Sequence, residues 1–203
     1  MLSRNEALSQ VEQIRLQLAR AEIFGAFRSL TTAATGVLAL LGGIVQSLWN
    51  LNQGLPFVLL WVAVATASLL LIAAEMTFRY RRTASTLQRD NMIAAAGNFL
   101  PCIAAGGLVA FALAYCAPPD EFRLLPGLWS ILFALGMVAA RPGLPRAANL
   151  IVGYYLLIGV ALIALHGYHS PVWAGSMPLS FGIGQLLSAL MLARQNRNQP
   201  AAA

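Results

Sequence analysis

Six long apolar runs, separated only by short polar connections, occupy most of this chain and leave it little choice of fold. They lie at 26–49, 57–75, 99–116, 127–140, 150–166 and 177–193. A bilayer core about 30 Å thick takes roughly 20 mostly apolar helical residues to cross. The fourth run reaches that length once 124–126 is included. Within each run the apolar residues are continuous and do not alternate, which points to spanning helices and away from a closed strand barrel. Charged residues make up 10% of the chain, against roughly 25% in soluble domains. That balance excludes a water-soluble enzyme and a disordered chain. The expected fold is an all-α integral membrane protein of six transmembrane helices, arranged as three hairpins, with an amphipathic helix at the N-terminus. The expected division is a cytoplasmic helix at 1–24, a bundle at 25–197 and a disordered tail at 198–203.

Charge fixes an orientation for this bundle. The thirteen basic residues are all arginine. Arg4, Arg15, Arg20 and Arg28 precede run one. Arg79, Arg81, Arg82 and Arg89 lie between runs two and three, Arg141 and Arg146 between four and five, and Arg194 and Arg197 after six. Only Arg123, beside Asp120 and Glu121, falls on the opposite side. The positive-inside rule then predicts both termini in the cytoplasm. Arginine used to the exclusion of lysine fits a bacterial inner membrane. The net charge of +6 reads as this topogenic set with a secondary attraction to anionic lipid, and not as a nucleic-acid footprint. Acids and arginines mixed before Phe24, with no apolar core and cleavage site, predict a retained first span and no cleaved signal peptide.

Two segments predict helix beyond the bilayer. In the first, Ala7, Val11, Ile14, Leu18 and Ala21 follow the a/d spacing of a coiled-coil seam, and Ser3 with Glu6 makes a capping box. This helix either lies on the bundle or lipid surface, or docks a cytoplasmic protein partner or a second copy. In the second, 77–96 lacks Gly and Pro, so runs two and three should continue as helix before turning near 83–90. A faint threefold repeat accompanies these features. Pro56, Pro126 and Pro178 each open an even-numbered run, 27, 28 and 29 residues after Ser29, Asn98 and Asn149.

The most informative chemical feature is an absence. Ionisable residues at mid-bilayer cost at least about 2–3 kcal/mol and mark function by default, and none of the six runs carries one at mid-depth. Carboxylate proton relays and intramembrane proteolysis are therefore not expected, and no enzymatic activity or cofactor is predicted. Glu75 and Arg79 are four apart and can pair on a helix. They form either a headgroup-level pair or, with Arg28 or Arg141, a polar binding site. His166 and His169 supply two metal ligands where a site needs three or four. The competing reading is an interfacial loop anchored by Tyr168 and Trp173. Small residues repeat every four positions, which lets helices approach closely: Thr35, Ala39 and Gly43; Gly106, Ala110 and Ala114; Ser180, Gly184 and Ser188. Gln185, a lone amide deep in run six, is either glue bonded to Thr31, Thr32 or Ser68, or a substrate contact. Pro101 opens run three by removing a helical donor, and a freed carbonyl there can line a cavity. Cys102 and Cys116 lie roughly 21 Å apart along one helix and cannot pair within one chain.

The strings FLPCIAAGGL at 99–108, LPGLWSILFALG at 125–136 and PLSFGIGQLL at 178–187 resemble those of an uncharacterised group of bacterial six-span inner-membrane proteins. The resemblance covers most of the chain and implies a six-helix membrane fold. It carries no activity and no catalytic residues to transfer. Two functions are compatible with the residues. One is a non-enzymatic interaction or assembly module with cytoplasmic docking helices, acting as a homo-oligomer or with a protein partner. The other is a small transporter or channel for an apolar or neutral solute.

Overall fold

The computed structural model describes residues 29–52, 54–82, 86–116, 118–140, 148–165 and 175–198. Its elements are α1 (Ser29–Leu48), α2 (Gly54–Arg82), α3 (Thr86–Cys116), a 3-10 turn (Pro119–Leu124), α4 (Leu125–Ala139), α5 (Ala148–Ala164), a π turn (Pro178–Ile183) and α6 (Gly184–Asn198). The described residues are helical apart from short turns and contain no strand. The amphipathic helix expected over 1–24, together with Arg28, Arg141, His166 and His169, lies outside the described residues, as do residues 199–203.

Among the described residues four segments are long and apolar enough to cross a membrane: Ser29–Leu48, Gly54–Phe78, Met92–Cys116 and Glu121–Ala139. The fourth reaches that length because the 3-10 turn runs straight into α4. The fifth helix, Ala148–Ala164, is apolar but shorter. The sixth run begins as a π turn before α6 starts.

The helices are amphipathic in an inverted sense. On α1 the buried stripe is Thr35, Gly36, Ala39, Gly42, Gly43 and Gln46, which are small or polar. Its large apolar residues Val37, Leu41, Ile44 and Leu48 face outward. Leu108 on α3 and Leu157 on α5 are likewise 69% and 75% exposed. A surface of this kind is unstable in water but matches lipid, where backbones pack through small residues and the bulky ones face acyl chains.

A left-handed residue ends α1. Asn50 takes φ 51°, a conformation that asparagine tolerates better than most residues. The Leu51 N–H then donates to the Gln46 carbonyl at 2.9 Å, and the Asn50 N–H to the Ser47 carbonyl at 3.4 Å. This is a Schellman arrangement, which caps carbonyls a helix end would otherwise leave bare. The same corner buries the Gln46 side chain completely. Its Oε1 accepts the Trp61 indole N–H at 2.8 Å, and its Nε2 donates to Asn52 Oδ1 at 3.1 Å. A polar knot thus joins α1 to α2.

Each helix packs on its neighbours in sequence, and α6 closes the ring against α1. The tightest pairs are α4 with α5, α1 with α6 and its π turn, and α3 with α4. The pairs α2/α3 and α5/α6 are looser. The bundle therefore consists of two closely packed halves, α6–α1–α2 and α3–α4–α5, joined along two looser seams. The three consecutive pairs α1/α2, α3/α4 and α5/α6 differ in closeness, so packing does not repeat from one to the next. Helices α2 and α3 do run past the apolar segments, to Arg82 and from Thr86.

Candidate functional site

A cavity of about 290 Å³ opens where the two halves meet. One wall comes from α1, α2 and the π turn with the start of α6, through Thr35, Ala39, Trp61, Ser68, Phe181 and Gln185. The other comes from α3 and α4, through Phe99, Cys102, Gly106, Gly107, Trp129 and Phe133. Val62 and Leu69 line it too and remain exposed on the outside of α2, so the cavity borders the α2/α3 seam.

Hydrogen bonding and ring packing fix the walls. Trp61 is tied to Gln46, and the Trp129 N–H donates to the Gly106 carbonyl across the α3/α4 contact at 2.9 Å. With both N–H groups bonded, these indoles present hydrocarbon to the cavity. Phe133 meets Phe99 and Phe181 edge-on, with centroids 5.3 and 5.7 Å apart. Behind them Tyr155, fully buried, stacks at a tilt on Phe133 with centroids 4.7 Å apart. Aromatic pairs in such geometries add about 0.5–1.5 kcal/mol each beyond area. The adjacent Tyr154 hydroxyl donates to the Leu179 carbonyl in the π turn. A π turn displaces carbonyls from the ordinary helical ladder, and here a side chain from α5 satisfies one.

Gln185 adds an amide to this lining beside the hydroxyls of Thr35, Thr66 and Ser68. It is half-buried, lines the cavity, and has no hydrogen-bond partner among the described residues. The bonds expected to Thr31, Thr32 or Ser68 are not formed. Thr35 bonds back to the Thr32 carbonyl at 2.8 Å instead. Its Cβ lies beside Gly36 of α1, and the side chain borders the cavity.

The other sequence candidates divide into packing positions and a separate polar end. A methyl group on Gly43 would overlap Pro178 Cγ, and one on Gly184 would meet the Tyr155 hydroxyl. Gly106 carries the Trp129 contact, Ala110 is buried in the core, and Thr35 and Ala39 are shared between helix packing and the cavity. Glu75 is half-buried near the far end of α2, one turn before Arg79, and does not line the cavity. The structure thus separates Glu75 from Gln185. Pro101 is accommodated inside α3 on its exposed side and does not line the cavity. Cys102 and Cys116 are both free, Cys102 at the cavity and Cys116 exposed. Among the described residues no cluster of His, Cys, Asp and Glu suits a metal ion. Sequence reasoning missed Gln46, whose single signal was an amide inside an apolar run. It also missed the Gly127/Gly159 crossing of α4 and α5, where a methyl group on Gly127 would lie 2.7 Å from the Gly159 carbonyl oxygen.

Comparison with family models, with characterised proteins and with solved structures finds no match to this chain. The likeness to the six-span bacterial group therefore rests on the three strings alone.

Proposed function

We propose that this chain is a six-span protein of the bacterial inner membrane, with both termini cytoplasmic, that carries a small lipid-soluble, neutral solute. The observation behind this reading is the apolar cavity between two tightly packed halves, bordering a loose seam and holding one open amide. Transporters commonly place their site near the midplane between two bodies that rock against each other. Gly36, which touches Gln185 Cβ, lies seven residues into α1, or roughly 10 Å from its Ser29 end, well inside the bilayer. The absence of charged residues from the lining among the described residues fits a neutral passenger, since an unpaired charge at that depth is costly. The assembly reading depends on the helix expected at 1–24, and no contact among the described residues favours it.

The cavity is tested through Cys102. In the Cys116→Ser background, Cys102 in nanodiscs should react with lipid-soluble N-ethylmaleimide. Gly107→Phe should slow that reaction at least tenfold, because Gly107 lines the cavity and an added Cβ there meets nothing within 4 Å. An unchanged rate would mean that the cavity is not an accessible space. Orientation is tested separately: reporters fused after residue 84 and after residue 203 should read cytoplasmic, and one after residue 170 periplasmic. The proposed topology is lost if the fusion after 170 shares a side with the other two.

A further inference from the structure

Resting on the reading of the cavity as a solute site, we propose that its ligand is a neutral ring compound of the quinone or phenol type. The ring occupies the aromatic chamber with one oxygen bonded to Gln185, and an apolar tail leaves between α2 and α3.

Size sets the first limit. A water needs about 10–15 Å³ of space of this kind, so about 290 Å³ holds on the order of twenty non-hydrogen atoms. That matches one substituted ring. A phospholipid headgroup with its glycerol and two chains is too large.

Shape sets the second. Trp61 and Trp129 are each held by a hydrogen bond, and Phe99, Phe133 and Phe181 by edge-to-face packing. Five rings immobilised in this way favour a flat guest that can stack or meet them edge-on. A flexible acyl chain would gain little from such fixed faces.

Polarity sets the third. The Gln185 amide carries an acceptor oxygen and two N–H donors, and no protein partner among the described residues takes either. An amide left unmatched in an apolar space is unfavourable. A ring carbonyl accepts from its NH₂, and a ring hydroxyl donates to its oxygen, so both redox forms of a quinone are served. Among the described residues no charged side chain lines the chamber, so a carboxylate or ammonium finds no counter-ion among them. The tail has an exit because Val62 and Leu69 continue the lining onto the outer, apolar face of α2.

The test uses the full-length Cys116→Ser protein in nanodiscs, with protection of Cys102 from N-ethylmaleimide as readout. One probe is a benzoquinone with a decyl tail and all other ring positions substituted, so that it cannot alkylate the thiol. The control is decylbenzene, of matched tail but without ring oxygen. The quinone should protect saturably and at least tenfold more tightly than decylbenzene. Gln185→Met, matched in length, should remove that advantage, with each compound's protection taken relative to the variant's own unprotected alkylation rate. If both compounds protect equally and Gln185→Met alters neither, the ring-oxygen assignment is wrong and the cavity stands. The assignment fails in the same way if neither protects while Gly107→Phe still slows alkylation. If neither protects and Gly107→Phe has no effect, the solute site itself is wrong.

Discussion

Leucine in place of Gly159 is expected to force α5 away from α4 and to lower the stability of the bundle by about 3 kcal/mol or more. A Cβ at Gly159 would lie 2.9 Å from the Gly127 carbonyl oxygen and 2.7 Å from Ile131 Cγ1. The first of these obstacles is backbone, so no change of rotamer relieves it. Water supplies no hydrophobic force to hold two helices together inside lipid, and once they separate their packing contacts are simply lost. The measurement is unfolding by increasing mole fraction of sodium dodecyl sulfate in a mild detergent, followed by circular dichroism. Gly153→Leu on the same helix is the control. A Cβ at Gly153 meets nothing within 4 Å, and leucine favours helix over glycine, so its midpoint should not fall. Equal losses at the two positions would mean that α4 and α5 do not cross where Gly127 meets Gly159.

Replacement of Gln46 by leucine should cost about 1–3 kcal/mol by a different route. The side chain is fully buried, and its loss strands the Trp61 N–H and releases Asn52. Trp61→Phe removes the donor as well, so the double variant should be less destabilised than the sum of the single ones. A coupling near 1 kcal/mol lies within the range for interhelical bonds in lipid, about 0.6–2 kcal/mol. Strict additivity in the same detergent titration would show that the two side chains do not interact. Because Trp61 also walls the cavity, Gln46→Leu should in addition alter the alkylation rate of Cys102.

Helices were legible in the sequence because a run of about 20 apolar residues has few other ways to satisfy its backbone in lipid. The extensions of α2 and α3 were legible from the lack of Gly and Pro across 77–96, since charged residues do not stop a helix. Gln46 was not, because beside Ser47, Trp49 and Asn50 it reads as a residue at the membrane surface. Its burial arises only when the left-handed Asn50 folds the chain back and brings Trp61 over it. Gly127 and Gly159 escaped a search for four-residue spacing because neither has a small residue four positions away, where Arg123, Ile131, Tyr155 and Ile163 stand. The cavity escaped because its walls come from six elements and its existence depends on α2 and α3 packing loosely, which no local pattern encodes. Gln185 was recognisable as an unusual amide in an apolar run, but only the assembled bundle shows it facing space instead of Thr31, Thr32 or Ser68.

Closure of the ring by α6 against α1 also imposes a timetable on synthesis. Gly43 and the Pro178 it receives are 135 residues apart, and at about 5–20 residues per second a ribosome needs roughly 7–27 s to cover that distance. Throughout that interval the notch on α1 has only lipid or the insertion machinery against it. The earliest of the described helices to be made is thus among the last to be sealed, and a ribosome that stalls before Pro178 leaves the notch bare for a quality-control protease to find.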